Sequence, residues 1–345
     1  MVDTNQERQM LNGLYTVDFH AHLQGSEGLS HFCAKDQQSF FYRSIMPTLE
    51  RLAHITEPIH DAIVGHFSHY YRDSISRYLY SRIGPVGLME ILRKFKLYDL
   101  KLLLKTMDVL DIDHVVIHSI EPLTTTADII AQTAPWRDRI SVFASFCAAQ
   151  DDPVGYLKPL IATGNVAGLK LHPIVGGFSC GELLFRCKDV FELVDEAKLP
   201  VLIHTGHIPT EALNEISGCT DALAMEPLIK AFPNVQFVLG HIGWESWRKV
   251  LGMAQRYDNI TVETSWQPAK VIRRAVDAIG AHRVLFGSDY PLNKPSRAIA
   301  QVKQALSPKE LVQVMSTNAV RLLKLKPKYS SSSLSYAQGK PSPTD

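Results

Sequence analysis

Residues 200–241 read PVLIHTGHIPTEALNEISGCTDALAMEPLIKAFPNVQFVLGH, and their pattern indicates the fold class. The stretch holds two short apolar runs, VLI and FVL, and a segment between them whose apolar residues recur with a helical period. Within each run the apolar residues are continuous rather than alternating, which is typical of strands buried on both faces. A strand, a helix and a second strand in this order predict a parallel sheet covered by helices.

The same unit recurs along the chain. The apolar runs that we interpret as eight strands begin at Thr16, His114, Ile140, Val166, Pro200, Val235, Asn259 and Arg283. Segments of helical period lie between the later runs, as in CKDVFELVDEAKL from Cys187. Eight such units favour closure into a (β/α)8 TIM barrel, and no run is followed by a GxGxxG or GxxxxGKS/T nucleotide-binding motif. We therefore expect a single α/β barrel domain over 14–326.

One interval breaks this rhythm. Roughly 90 residues separate the first run from the second, whereas a strand-to-helix connection usually spans 2–6 residues. The interval is rich in helix formers and aromatic residues, and an insertion after a strand emerges on the face of the barrel that carries the active site. We predict a helical cap over the site at about 26–110, its last part serving as the first barrel helix. An insertion remote from the site is the alternative.

Composition restricts the class of protein. The chain has 36 Lys+Arg and 35 Asp+Glu with no charge block, so we expect neither nucleic acid nor a membrane surface as a partner. No apolar run approaches the roughly 18 residues of a transmembrane helix, and the five cysteines form no CxxC pair. With the polar first residues, these features predict a cytoplasmic protein with reduced thiols. Residues 327–345 are rich in Ser and Pro, which predicts a disordered tail.

Several candidate metal ligands lie at the predicted strand ends, where barrels carry their chemistry. The two-residue period of the first strand puts Asp18, His20 and His22 on one face, with both imidazoles pointing at the barrel mouth, and apolar Val17, Phe19 and Ala21 on the other, facing the outer helices. Two histidines at this spacing can clamp a metal ion at N–metal distances of about 2.0–2.1 Å. The remaining strand ends supply His118, Lys170, His172, His204, His241 and Asp289. Such a mixed set of nitrogen and oxygen donors suits a divalent metal.

The motifs VDFHAHL, GLKLHP, VLIHTG, LGHIG and LFGSDYP, in this order, resemble the amidohydrolase superfamily. More narrowly, they resemble its amidohydrolase-related branch, which includes hydrolases and aminocarboxymuconate-semialdehyde-type decarboxylases. The resemblance runs from Val17 to about Leu323, apart from the predicted cap. The metal ligands that it implies are His20, His22, His204 and Asp289. It also implies that His241 assists the reacting water where one metal is bound, or binds the second metal where there are two.

Lys170 makes the number of metals ambiguous. Relatives that resemble dihydroorotase carry a lysine at a comparable place, carboxylated by CO₂ so that it bridges two metals. Because an ammonium beside two divalent cations would be strongly repelled, two states are open: a carbamate with two metals, or a free amine with one, the latter either neutral or pairing with the substrate. We favour one ion, with Zn²⁺ preferred and Mn²⁺ as the alternative. We interpret His172 as a group that supports the ligands, with a ligand or substrate-contact role left open, and His118 as a core or rim histidine.

Hydrolysis of an amide, lactone or ester of a small, carboxylate-bearing molecule is the first functional hypothesis. A divalent ion lowers the pKa of bound water from 15.7 to about 7. Asp289 can then accept the proton, and His241 can orient the water or stabilise the developing oxyanion. Arg72, Arg77 and Tyr78, in the predicted cap, are candidates to hold the substrate carboxylate or carbonyl.

Two other functions are weighed against hydrolysis. A non-oxidative decarboxylase with the same metal site is the main alternative, and the resemblance disfavours it because the decarboxylase branch lacks a lysine at the fourth strand. A non-catalytic binding protein is less favoured because no ligand is missing. In each case we expect a small molecule as the partner, and a homodimer is left open.

Overall fold

The computed structural model describes residues 13–24, 94, 99–206 and 220–327. Eight strands form one parallel sheet in which each strand pairs with the next along the chain. Their bounds are β1 Val17–Ala21, β2 His114–His118, β3 Ile140–Ala144, β4 Val166–Leu171, β5 Val201–Ile203, β6 Phe237–Leu239, β7 Ile260–Glu263 and β8 Val284–Leu285. The predicted TIM barrel and the eight predicted strands are confirmed.

The barrel closes between β1 and the segment that follows β8. The Phe19 N–H donates to the Phe286 carbonyl at 2.8 Å, and the Asp289 N–H donates to the His20 carbonyl at 2.7 Å. Both bonds are made by the backbone, so they do not depend on the side chains of these residues. The closure therefore places the end of the first strand directly beside the predicted last-strand ligand.

Helices cover the barrel between successive strands. Their bounds are α1 Leu100–Val109, α2 Thr126–Thr133, α3 Pro153–Ala162, α4 Pro173–Gly176, α5 Leu183–Arg186, α6 Lys188–Glu196, α7 Glu226–Ala231, α8 Trp247–Ala254, α9 Ala269–Ile279, α10 Pro295–Ala305, α11 Pro308–Val312 and α12 Asn318–Leu323. Side-chain caps begin several of them: Asp99 accepts from the Leu102 N–H at 2.8 Å, and Asp152 accepts from the Gly155 N–H at 2.7 Å. Across the described ranges, no helix has the length and apolar character needed to cross a membrane.

The predicted cap and tail lie mostly outside the described residues. Of the cap, predicted at about 26–110, the structure describes residue 94 and residues 99–110, which include α1. The Lys94 ammonium donates to the carbonyl of Leu292, in the loop between β8 and α10, at 3.1 Å. Of the predicted tail, only residue 327 is described. The extents of the cap and the tail remain predictions.

The predicted orientation of the apolar residues in β1 was wrong for Val17 and Phe19, whereas Ala21 packs against α1 outside the barrel as predicted. Phe19 packs inside the barrel, edge-on to Phe143 at a ring-centroid distance of 5.5 Å. The same buried cluster includes Leu202 and Val238, from strands on the far side of the barrel. The reason is a bulge: three steps along β1 from Asp18 to Ala21 pair with two steps along β2, which shifts the phase of the side chains.

Close packing inside the barrel makes Gly168 sensitive to substitution. A Cβ atom at this position of β4 would lie 2.4 Å from the Phe143 ring, inside a core that cannot expand. We expect Gly168→Ala to lower the free energy of unfolding by about 1–3 kcal/mol, measured by urea denaturation. Gly252→Ala is the matched control, because nothing lies within 4 Å of its Cβ position in α8. That variant should gain about 0.5–1 kcal/mol, and equal stabilities of the two variants would contradict the packing.

Candidate metal centre

The imidazole rings of His20 and His22 are buried and bring their Nε2 atoms to 3.2 Å from each other. Nδ1 of His20 lies 2.9 Å from Glu263 Oε1, and Nδ1 of His22 lies 2.9 Å from the carbonyl oxygen of His118. A carbonyl oxygen can only accept, so Nδ1 of His22 carries the proton, and the carboxylate selects the same tautomer of His20. Both Nε2 atoms therefore direct lone pairs into the same space.

The Asp289 carboxylate faces the same space. Its buried Oδ1 atom lies 3.2 Å from His22 Nε2 and 3.6 Å from His20 Nε2, and it has no hydrogen-bond partner among the described residues. Three lone-pair donors this close repel one another unless a cation lies between them. Ligands about 2.0–2.1 Å from a tetrahedral metal are about 3.3 Å apart, which agrees with the observed spacings. The three residues therefore fit a divalent metal ion.

Asp18 ties together the two backbone segments that carry these ligands. Its buried carboxylate accepts from the Ser288 N–H at 2.8 Å and from the His20 N–H at 3.2 Å. Burial raises the pKa of Asp18 to about 7, while its hydrogen bonds to Ser288 and His20 act in the opposite direction. Asp18 thus fixes β1 against the loop of Asp289 without facing the metal space itself.

His204 and His241 form a hydrogen-bonded pair at the ends of β5 and β6. The Ser265 hydroxyl donates to Glu263 Oε1 at 2.8 Å and lies 2.6 Å from His241 Nδ1, so it accepts from that nitrogen. Nε2 of His241, 2.9 Å from Nδ1 of His204, then accepts from it in turn. This series of hydrogen bonds leaves a lone pair on His204 Nε2. That atom is buried and has no hydrogen-bond partner among the described residues. That is the protonation state a metal ligand requires.

Two groups of three side chains in the described ranges have donor atoms within 4.8 Å of one another. They are His20, His22 and Asp289, and His20, His241 and Glu263. The first group consists of three predicted ligands. In the second, His20 Nδ1 is hydrogen-bonded to Glu263 Oε1, and His241 Nδ1 lies 3.3 Å from the same oxygen while bonding to Ser265. His204 belongs to neither group, so its place as a fourth ligand stays a prediction.

Lys170 is fully buried beside the first group. Its Nζ atom lies 3.1 Å from His20 Nε2, one of the predicted metal-binding atoms. Burial lowers the pKa of Lys170 to about 8, although the negative charges of Asp289 and Glu263 raise it. The lysine therefore lies close enough to the metal space to bind a metal as a carbamate, or to affect its binding as a free amine.

His172 and His118 each contact one of the predicted histidine ligands. The His172 ring stacks on the His204 ring at a centroid distance of 4.4 Å and an angle of 9°. His118 donates from Nε2 to the Phe19 carbonyl at 2.8 Å, and its own carbonyl accepts from His22. Burial lowers the pKa of both rings well below 6.5, so they are neutral at physiological pH. The cap candidates Arg72, Arg77 and Tyr78 lie outside the described residues.

Glu263, at the end of β7, is a residue that the sequence analysis missed. It is fully buried, and besides His20 and Ser265 it accepts from the backbone N–H of His241 at 2.6 Å. Burial raises the pKa of Glu263 to about 7, and the bonds from Ser265 and His241 oppose this shift. A carboxylate bonded to the far nitrogen of a ligating histidine fixes the ring and makes it a stronger donor. The available signal was an acidic residue at the end of a buried strand, in NITVETS from Asn259.

Comparisons with known proteins agree with this fold. The family model described as amidohydrolase matches residues 87–325. The chain is similar to an uncharacterised TIM-barrel protein from Bordetella bronchiseptica, with 16% identity over 90% of this chain and 99% of the other and a TM-score of 0.62. It is also similar to a dihydroxybenzoic acid decarboxylase from Polaromonas sp. JS666 with bound manganese. The two share 15% identity over 90% of this chain and 97% of the other, with a TM-score of 0.60. A third similar structure is a candidate 2-pyrone-4,6-dicarboxylic acid hydrolase from Pseudomonas putida, with 13% identity over 91% of this chain and 99% of the other and a TM-score of 0.56. No curated protein sequence matches the chain.

Proposed function

Because the chain belongs to the amidohydrolase family of enzymes, we propose that it is a metal-dependent hydrolase acting on an amide, lactone or ester of a small, carboxylate-bearing molecule. The observation that carries the proposal is the convergence of His20 Nε2, His22 Nε2 and Asp289 Oδ1 at spacings of 3.2–3.6 Å. His204 is the proposed fourth ligand. The ion is divalent, with Zn²⁺ preferred over Mn²⁺ for a set of three imidazoles and one carboxylate. When bound, it supplies a water acidic enough to react at neutral pH and polarises the substrate carbonyl.

Asp289 is the proposed base of the reaction. Its Oδ1 atom is a buried acceptor without a partner among the described residues, and it borders the metal space. It can accept a proton from the attacking water and return it to the leaving group. His241 acts through His204, because its Nε2 accepts from His204 Nδ1 and so increases electron density on the ligating nitrogen. A direct role of His241 on the water, as predicted, requires this hydrogen bond to open.

Decarboxylation is the second candidate: the resemblance disfavours it because of the lysine at the fourth strand, but the position of Lys170 beside the metal space offers this reaction a proton donor. Loss of CO₂ leaves an electron pair on carbon, which must take up a proton from a nearby group. The Lys170 Nζ atom lies 3.1 Å from His20 Nε2, beside the metal space, where its amine could pass a proton to that carbon once it has taken one up after metal binding. The decarboxylase from Polaromonas with bound manganese shares the fold at 15% identity.

Isotope labelling of the products separates the two reactions. Probe substrates are 2-pyrone-4,6-dicarboxylate and dihydroxybenzoates, after the fold-related proteins, with a panel of simple lactones and amides. Hydrolysis in water labelled with oxygen-18 should place one heavy oxygen in the product acid and release no CO₂. Decarboxylation in D₂O should instead release CO₂ and leave one deuterium on carbon, and that result would reject the hydrolase.

The control for this experiment is Asp289→Asn, which keeps the side-chain shape and removes the base; because Asp289 is also a proposed ligand, the variant is assayed with its metal content measured and saturated. It should lower the hydrolytic rate by about 10²–10⁴-fold, as expected for loss of general base catalysis. Chelation followed by addition of Zn²⁺ or Mn²⁺ in turn identifies the working metal. Hydrolysis that survives complete metal removal would contradict the proposed function.

A further inference from the structure

The two carboxylate oxygens of Asp289 have different surroundings. Oδ1 faces the metal space, whereas Oδ2 accepts a hydrogen bond from the indole Nε1–H of Trp266 at 2.5 Å. Trp266 follows β7, so the donor comes from a neighbouring loop of the barrel mouth. We infer that Trp266 is a positioning residue: its indole occupies Oδ2 and so reserves Oδ1 for the metal ion and the reacting water. This inference rests on the proposed function.

The chemistry of indole suits this task. Its N–H group is a donor only, with no lone pair available to bind a metal or accept a proton. A carboxylate with both oxygens available can bind a metal through either oxygen or through both. With Oδ2 held by Trp266, Asp289 presents one oxygen in one orientation. The arrangement therefore limits the number of ligand atoms that Asp289 contributes.

Trp266 and a neighbouring tryptophan have positive φ angles, which large side chains rarely adopt. Trp266 has φ 63° and Trp244, in the loop after β6, has φ 50°, both in the left-handed region. Each such residue costs about 1–3 kcal/mol and persists only where the surrounding structure enforces it. Asp289 itself has φ 64°. The donor and the acceptor of this hydrogen bond thus both lie on strained backbone, as is common at functional sites.

Neighbouring loops enforce the position of the indole. The Trp244 ring stacks on the Trp266 ring at 5.5 Å and 21°, and it also meets the His241 ring edge-on at 5.6 Å. Gly206, after β5, lets Trp244 approach, because a Cβ there would lie 2.3 Å from the Trp244 Cβ. The Gln267 side chain donates to the His241 carbonyl at 2.5 Å, which ties the β6 and β7 loops together. Loops of four consecutive strands therefore converge on one hydrogen bond to Asp289.

Metal binding by the apoprotein tests the inference without relying on activity. Trp266→Phe removes the N–H donor and leaves a smaller aromatic ring that can still stack on Trp244. We expect it to weaken binding of Zn²⁺ or Co²⁺ by about 10–100-fold, the usual effect of losing a group that orients a ligand. The visible absorption of the Co²⁺ form should also weaken, because Asp289 then binds through both oxygens and raises the coordination number.

Two other tryptophans provide matched controls. Trp247→Phe, in α8, removes an indole that packs under the Arg248 guanidinium at 4.3 Å, and it should bind metal like the wild type. Trp244→Phe keeps a ring in the stack and should change affinity much less than Trp266→Phe. If Trp266→Phe binds metal with wild-type affinity and an unchanged Co²⁺ spectrum, this inference is overturned while the proposed function stands. If the wild type itself binds no divalent ion, the proposed function fails first.

A measurement on the wild-type protein covers the case in which Trp266→Phe does not fold. The chain has four tryptophans, so a ¹⁵N–¹H spectrum should contain four indole signals, assigned by substituting Trp136, Trp244 and Trp247 in turn. The Trp266 signal should lie far downfield, because its partner is a carboxylate, and should move when Zn²⁺ binds. A Trp266 signal that has an ordinary indole chemical shift and does not move when Zn²⁺ is added would overturn the inference.

Discussion

Replacing both His20 and His22 with alanine is expected to remove the metal from the purified protein and abolish its activity, while the barrel remains folded. The variant loses two of the three atoms that converge at 3.2–3.6 Å, which leaves Asp289 Oδ1 with no partner in that group. Metal content should fall from about one equivalent per chain to a trace. A bound metal contributes several kcal/mol to catalysis, so the rate should fall by at least about a thousandfold.

The fold should survive because the closure of the barrel at this point is made by backbone atoms. The His20 carbonyl still accepts from the Asp289 N–H, and the Phe19 N–H still donates to the Phe286 carbonyl. Removing two imidazoles also relieves the repulsion between their lone pairs in the metal-free protein. Thermal unfolding followed by circular dichroism, in the presence of a chelator, measures this directly.

His114→Ala is the matched control for the double variant. His114 is also buried in a barrel strand, but it lies at the opposite end of β2, near Tyr15 and 2.8 Å from the Ser141 hydroxyl. The control should keep its metal and its activity even if it loses some stability. Full metal content in the double variant would reject the assigned site and direct attention to His241 and Glu263.

The sequence predicted the barrel well because its strands are buried on both faces. Each strand is then a continuous apolar run that ends at a polar residue, and these ends mark the face that carries the site. The phase of side chains within a strand was less predictable. Phe19 points into the barrel because β1 carries a bulge against β2, and a bulge depends on the pairing of two strands rather than on alternation within one.

The same limit applies to the candidate site. His20, His22 and Asp289 could be placed together because parallel strands end on one face. The role of Glu263 could not be predicted, because it depends on a contact with His20 across 243 positions of the chain. Trp266 was missed because its orientation depends on a left-handed backbone conformation, which the neighbouring sequence does not indicate. Likewise, left-handed residues after β6 turn His241 toward His204 instead of leaving its ring free.

The metal affinity of the wild-type protein is expected to fall about tenfold for each pH unit below 8, and Lys170→Met should remove most of this dependence. The Lys170 Nζ atom lies 3.1 Å from His20 Nε2, and burial lowers the pKa of Lys170 to about 8. Below that pH the group is an ammonium that donates to the lone pair the metal requires. A divalent ion so close to an ammonium is strongly repelled, so binding must release one proton.

The direction of the effect follows from the two protonation states. Above pH 8 the free protein already holds a neutral amine, so no proton is released and affinity becomes independent of pH. Below pH 8 the proton competes with the metal, and at pH 6 the variant should bind about 100-fold more tightly than the wild type. His20 and His204 add little slope here, because burial lowers the pKa of both well below 6.5.

Chelator competition at pH 6, 7 and 8 measures the affinities, and metal analysis of the same samples gives the stoichiometry. Lys188→Met is the control, because Lys188 is exposed on α6 and pairs with Glu192 at 2.8 Å, so its loss should leave the pH dependence intact. A free amine predicts one metal in both the wild type and Lys170→Met. A carbamate predicts two metals in the wild type, and Lys170→Ala should then lose one that short carboxylates partly restore. That second outcome would replace the one-metal site with a bridged pair in which Lys170 is itself a ligand.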